Sequence, residues 1–241
     1  DFVGVLYNTH QTGDHLLDLK SESTPTKAVT KSNVLFAQYD AKQVYYMQYS
    51  CREGDKWNLD YSPVGNLYNN YFSGGMNAIV FQEMREARGL AYSAYTYLAK
   101  GRVPQHPYYF YAFIATQNDK VQQAVEAFDE IIENMPRSEK AFELAKSGFL
   151  ANIESKRTTK MDILWSYLEY EKFGLKEDIN KTIYEGIQSL TLDDVVKFQQ
   201  EFIKGRPYTY CILGDKNDLD MAYLRKLGKI KFLSQEEIFG Y

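Results

Sequence analysis

Histidine is scarce in this chain of 241 residues: His10, His15 and His106 are the only three, and none stands in an H-E-x-x-H or H-x-x-E-H arrangement. A catalytic zinc takes about three protein ligands and keeps a position open for water, and the paired-histidine motifs set two of those ligands on one helical face. The sequence therefore lacks the donor set for a zinc of its own. His10 and His15 stand on either side of a glycine in HQTGDH and His106 lies between Gln105 and Pro107, so all three read as loop residues. Cysteine is as sparse. Cys51 and Cys211 have no metal-ligand spacing and read as buried thiols rather than as a bridge. No stretch approaches the ~18 apolar residues of a membrane span, and no basic-then-apolar signal segment opens the chain. That leaves the compartment open, an extracytoplasmic one included. Positive charge is not in excess: 28 Lys and Arg against 32 Asp and Glu give a net charge of -4, scattered along the chain, which argues against a nucleic-acid partner because such proteins carry a basic face.

What is present fits one large globular domain, since 44% hydrophobic residues over this length suffice for a sizeable core. Residues 1 to 32 differ from the rest. DFVGVLY reads as a strand, HLLDLK as a short helix and STPTKAVTKSN as a polar linker, so 1–32 are assigned to a linker or the tail of a preceding domain, and 33–241 to the domain proper. Asp1 is not an initiator methionine, and the chain reads as a piece of something longer. From Val34, VLFAQYD, a turn at Asp40-Ala41-Lys42 and QVYYMQYS read as a β-hairpin. A helix is expected near Pro63, strands over 90–98 and 108–115, and a helical stripe of Val121, Ala124, Val125, Phe128, Ile131, Ile132 and Met135. Ser138 and Thr159 are expected to cap the next two helices, the second carrying Met161, Leu164, Trp165 and Leu168 and ending at Gly174. Helices after Asp178 and Thr191, a strand 208–213, a helix 219–227 and a strand 230–233 complete the pattern. Strands near both ends with helices massed between them point to an α+β fold, a mainly antiparallel sheet with helices packed on one face.

Residues 71 to 98, YFSGGMNAIVFQEMREARGLAYSAYTYL, are the most informative stretch. Gly74 and Gly75 supply a tight turn, Asn77 is expected to cap a helix carrying Ile79, Val80, Met84 and Ala87, and Gly89 stops it with Arg85 and Arg88 in the last turn, where cations complement the helix dipole. Alternation follows from Leu90. Gly74 and Gly75 lack the G-x-x-x-x-G-K-[ST] context of a phosphate loop. This order of glycine loop, helix, glycine stop and tyrosine-rich strand resembles the signature of the pitrilysin, insulinase and mitochondrial processing peptidase family, specifically its partner domain that binds no zinc. ATQNDK (115 to 120), ENMPRSEKAFELAK (133 to 146), LTLDDVVKFQQEF (190 to 202) and YTYCILGD (208 to 215) extend the resemblance over roughly residues 33 to 234, a span of ordinary domain size.

The resemblance implies a half-domain of a clamshell zinc metallopeptidase, with an extended peptide as substrate and with zinc and general base on another domain or subunit. It also implies that Arg85 and Tyr92, seven positions apart across the helix stop, hydrogen-bond the substrate near the scissile carbonyl, and that Gly74 and Gly75 line the mouth of the chamber. By pattern alone Arg85 equally reads as a helix-end cation, Tyr92 as a strand residue and the glycines as a plain turn. A non-enzymatic scaffold or assembly subunit of the same fold, or an aromatic-rich module binding peptide or glycan, stays open as an alternative. The 21 tyrosines bear on it: Tyr45, Tyr46, Tyr49, Tyr95, Tyr97, Tyr108, Tyr109 and Tyr111 fall on expected strands, where rings usually pack a sheet and only exposed ones contact a ligand.

Overall fold

A computed structural model of the protein describes residues 27–240. His10, His15 and the strand and helix expected within residues 1 to 22 lie outside them. Among the described residues six strands form one sheet: β1 (Asn33–Gln38), β2 (Gln43–Lys56), β3 (Ser93–Ala99), β4 (Pro107–Gln117), β5 (Thr209–Gly214) and β6 (Lys229–Leu233). Their order is β3-β4-β2-β5-β1-β6. The first three pairings are antiparallel and the last two parallel.

The expected β1–β2 hairpin is therefore wrong. Both strands exist, but β5 lies between them, with Val34 opposite Tyr210 and Tyr46 opposite Ile212. A turn signal reports that the chain leaves a strand. It cannot report that another strand, arriving some 170 positions later, offers a better-matched buried neighbour on both sides. The described part of the polar linker, residues 27 to 32, is neither helix nor strand, yet Val29 is buried and its amide donates to the Cys51 carbonyl at 2.9 Å.

Among the described residues there are nine α-helices: α1 (Ser62–Ser73), α2 (Ile79–Phe81, continuing as a π-helical turn Gln82–Ala87), α3 (Val121–Glu133), α4 (Glu139–Ser155), α5 (Lys160–Lys172), α6 (Ile179–Ser189), α7 (Leu192–Phe198, continuing as a π-helical turn Gln199–Ile203), α8 (Met221–Leu227) and α9 (Gln235–Phe239). Pro63 sits in the first turn of α1, where its missing N–H costs nothing. Ser138 accepts from the Ala141 amide at 3.2 Å, and Thr159 with Asp162 and Thr191 with Asp194 form reciprocal capping boxes. Asn77 is not a cap: α2 begins after Ala78 and has no side-chain cap. The short α9, with its Ser234–Glu237 box, was not expected from the pattern.

Burial along the central strands alternates with period two. Val44, Tyr46, Gln48 and Ser50 of β2 and Phe110, Ala112 and Ile114 of β4 are buried, beneath Leu67, Tyr68, Tyr71 and Phe72 of α1 and the expected stripe of α3. The fold is thus α+β, with helices packed on one face of a mainly antiparallel sheet. Two local features go beyond what the sequence pattern states. His106 is a loop residue as expected but is buried, with Gly101 pressed so closely on it that a Cβ there would lie 2.4 Å from the His106 Cβ. The stripe on α5 is not core: Met161, Leu164, Trp165 and Leu168 are 44–63% exposed. Periodicity says that a helix has an apolar face, not that this chain supplies what covers it. Cys51 and Cys211 are both thiols, held up in pKa by burial. Cys211 is opposite Met47, four residues along β2 from Cys51, so about 13 Å of strand separates the two.

A polar cluster lies inside this core. Gln48 donates through Nε2 to Tyr46 Oη at 3.0 Å and to the Asp129 carboxylate on α3. Burial pushes the Asp129 pKa up to about 6, against the lowering effect of the Gln48 hydrogen bond, with Glu133 and Glu126 adding to the rise. For a carboxyl raised above its unfolded value, the stability it contributes is full below about pH 4 and is lost as pH rises through about 6. Asp129→Asn keeps an oxygen to accept from Gln48 and removes the charge. The variant is expected to match wild type near pH 4 and to exceed it by about 1–3 kcal/mol at pH 7. Urea unfolding at the two pH values measures this; an equal or lower stability of the variant at pH 7 would contradict it.

Candidate functional site

The helix stop seen in the sequence builds the site. Gly89 adopts φ +56, its amide donates to the Arg85 carbonyl at 3.2 Å and the Leu90 amide reaches back to Met84 at 2.9 Å, which closes α2 and aims the chain at the sheet. The Tyr92 amide then donates to the Ala115 carbonyl of β4 at 2.9 Å, just ahead of β3. Arg85 sits within the π-helical turn, a geometry found disproportionately at functional sites.

Arg85 and Tyr92 border one open depression of about 330 Å³, together with Gln43, Leu90, Thr116, Gln117 and Lys120. The register sets Gln43 of β2 opposite Gln117 of β4, Thr116 Oγ1 donates to the Leu90 carbonyl at 2.5 Å, and Lys120 Nζ reaches the Gly89 carbonyl at 3.4 Å. The two arginines of the helix end differ. Arg88 is committed to Glu130 at 2.8 Å and Glu83 at 3.5 Å, and the hydrogen bond to Glu130 raises its pKa. Arg85 has a loose contact of 3.7 Å to Glu86, rests 5.0 Å from the Phe81 ring centroid and stays half exposed. Tyr92 is 76% exposed, far more than a residue packing a sheet. A guanidinium and a phenol facing one concavity offer fixed donors to a carbonyl oxygen. Gln43 carries no signal in the sequence and enters through the β2–β4 register, while Lys120, at the end of the ATQNDK segment, enters from the turn that follows β4.

Gly74 and Gly75 are exposed and are not among the residues bordering this depression. Gly75 has φ +127, and a Cβ on Gly74 would lie 2.5 Å from the Asn70 backbone, so the turn requires both glycines. No group of three or more His, Cys, Asp or Glu converges among the described residues, so the donors present do not fit a zinc ion. A smaller cavity of about 210 Å³, bounded by Trp57, Tyr61, Phe198 and Phe202, lies at the far end of β3 from Tyr92; its one lysine, Lys100, is already paired with Glu169 at 2.7 Å. No helix of the described residues is long and apolar enough to cross a membrane.

Fold and site together define a domain of α+β architecture with no group of three or more metal-ligating side chains among its described residues. Residues 18–149 match the model of the peptidase M16 inactive domain, which is more than half of the chain, and the chain belongs to that family. The resemblance read from residues 71 to 98 is upheld. Solved structures agree in fold. A peptidase M16 inactive domain from Pseudomonas fluorescens is 18% identical, with a TM-score of 0.63 over 77% of this chain and 44% of that one. A protease from Helicobacter pylori is 14% identical, with a TM-score of 0.61 over 82% and 48%. A chain of complex III2 from Candida albicans is 11% identical, with a TM-score of 0.59 over 81% and 49%. This chain thus spans about half the length of these three structures. No curated protein matches the sequence significantly.

Proposed function

We propose that this chain is the partner half of a zinc metallopeptidase that hydrolyses peptides, with Arg85 and Tyr92 holding and polarising the substrate carbonyl while zinc and general base lie on another domain or subunit. The observation that carries this reading is the convergence of an exposed guanidinium and an exposed phenol on one depression in a chain of this family. The exposed Gly74–Gly75 turn is assigned to the mouth of the chamber, where an extended peptide passes close to backbone.

The peptide would not add as a strand to β3. Asn69 of α1 accepts from the Leu98 amide at 2.8 Å and donates to the Leu98 carbonyl at 2.9 Å, and Ser73 accepts from the Thr96 amide at 2.8 Å. These side chains occupy the outer edge of the strand. Backbone pairing of the substrate, if strand-like, belongs to the other half, and this chain contributes side-chain donors. The other half would also cover α5, whose Met161, Ile163, Leu164, Trp165, Tyr167 and Leu168 are all exposed, an apolar area of the kind that marks an interface.

Complementation tests the reading. The chelator-washed chain alone is expected to bind no stoichiometric zinc and to hydrolyse no peptide, and addition of the zinc-binding half is expected to confer hydrolysis. One tightly held zinc per chain would end the assignment. A zinc-binding half that associates without activity would instead favour the second reading, a scaffold or assembly subunit, which the likeness to a chain of complex III2 supports.

A further inference from the structure

The cavity of about 210 Å³ at the far end of β3 takes no part in the proposed clamp. Its lining is mostly aromatic and drawn from several elements: Trp57 just past β2, Tyr61 ahead of α1, Tyr108 of β4, and Phe198 and Phe202 of α7. The rings hold one another. Phe198 and Phe202 stack with centroids 5.2 Å apart, Tyr61 lies 5.7 Å from Phe202, Tyr108 meets Phe202 edge-on at 5.8 Å, and Trp57 meets Phe173 edge-on at 5.0 Å. Helix α6, which adds Ile179 and Ile183 to the lining, cannot close in on α1: a Cβ on Gly186 would lie 2.6 Å from Pro63 Cγ, so the two helices already touch. On α1 the space begins at Gly65. A Cβ there would meet only Phe198 at 3.8 Å and Leu98 at 4.0 Å, both ordinary contact distances. Glycine is a poor helix residue, and a larger one would fit; the side chain that Gly65 lacks is what leaves the cavity open.

We propose that this cavity binds a small neutral aromatic molecule, a fused two-ring system bearing one hydroxyl or N–H; the proposal does not depend on the clamp reading. Size sets the number of rings. An apolar cavity of about 150 Å³ admits benzene, and 210 Å³ leaves room for a second fused ring. A flat ring buries apolar area here and pairs with the lining rings in stacked or edge-on geometry. Polar groups on the lining set the rest. Lys100 is spent on Glu169 at 2.7 Å and lies 4.0 Å from the Phe173 ring centroid, so an entering carboxylate would lose its water without gaining a free cation. Asn69 spends both ends of its amide on Leu98. Asn66 donates through Nδ2 to the Ser62 carbonyl at 2.8 Å, which leaves its Oδ1 to accept from an O–H or N–H of the ligand. Walls held by contacts outside the cavity need no rearrangement on binding, and such preorganisation favours affinity. Tyr61 and Tyr97, 42% and 45% exposed, are the outermost rings of the lining and mark the way in.

The test titrates this chain at neutral pH with naphthol, naphthalene and naphthoate, and reads equilibrium binding together with the amide and indole NMR signals. Naphthol is expected to saturate a single site. It should bind roughly threefold to tenfold more tightly than naphthalene, the worth of one hydrogen bond, and on the order of tenfold or more above naphthoate. Signals of Trp57, Gly65 and Leu98 should move while those of Arg85 and Tyr92 stay. Gly65→Leu, whose side chain would enter the cavity, should weaken naphthol on the order of tenfold or more with an unchanged or raised melting temperature. Gly65→Ala adds only a methyl for which there is room, so it should fold with a raised melting temperature and weaken binding less; it keeps the test open if the leucine variant does not fold. Asn66→Ala should erase the advantage of naphthol over naphthalene. No saturable binding of naphthol, an affinity that no folded Gly65 variant lowers, naphthoate bound as tightly as naphthol, or signal changes on the exposed α5 instead of the lining would overturn the proposal. Loss of binding on addition of the zinc-binding half would overturn it too, since the cavity would then belong to the interface between the halves.

Discussion

Arg85→Ala and Tyr92→Phe, placed in a protein that contains both halves, should each lower kcat/KM on a quenched peptide while leaving thermal unfolding nearly unchanged. Each removes a donor aimed at the substrate carbonyl, and one such donor in a preorganised site contributes up to about 2–4 kcal/mol of barrier lowering. The structure makes stability a clean control. Arg85 is half exposed with a loose 3.7 Å contact to Glu86, and Tyr92 is 76% exposed, so neither change opens a cavity. Tyr92→Phe keeps the ring and deletes only the hydroxyl. A drop in kcat with KM little changed would place the lost interaction in the transition state. Wild-type turnover in both variants would remove the clamp assignment and put the scaffold reading ahead. Arg88→Ala serves as the contrast: its ion pair to Glu130 ties the end of α2 to α3, with Glu83 of α2 holding the same guanidinium, so its loss should lower the melting temperature rather than turnover.

Asp55→Ala should destabilise the fold by about 3–5 kcal/mol, because it strands a buried charge. The Arg206 side chain has no exposed surface; it is paired with Asp55 at the end of β2, donates through Nε to the Phe202 carbonyl at 2.6 Å and lies 4.9 Å from the Phe202 ring centroid. Burial pulls its pKa down, and the Asp55 carboxylate opposes that shift. Removing the carboxylate leaves the guanidinium to bear its full desolvation. The double change Asp55→Ala with Arg206→Met takes away both charges and keeps the packing stem, so it should recover most of the loss. Urea unfolding of the three proteins decides: a double variant as unstable as the single one would mean that the pair itself, rather than the orphaned charge, sets the magnitude.

The elements of the fold were largely legible because their causes are local. Pro63, Ser138, Thr159 with Asp162, Thr191 with Asp194, and the glycine stops at 89 and 174 act within a turn of their own position, and each marks a helix end that the structure reproduces. Asn77 shows the limit even there. A capping residue type does not by itself start a helix, and α2 starts two residues later without a side-chain cap, where Ile79 and Val80 can enter the core.

Sequence by itself determined the α+β class, the family and the helix-stop-strand segment that carries Arg85 and Tyr92, because period, capping and turn chemistry are written into neighbouring residues. Tertiary structure alone decided what lies beside what. It put β5 between β1 and β2, where residues some 170 positions apart share a ladder. It brought Gln43 and Lys120 to the depression, left α5 uncovered, and sorted the tyrosines into Tyr46 and Tyr108 beneath the helices and Tyr45, Tyr95 and Tyr97 on the open face. A strand pattern gives alternation without saying which side is in. That choice is made by which face the helices can bury, a property of the whole chain's packing.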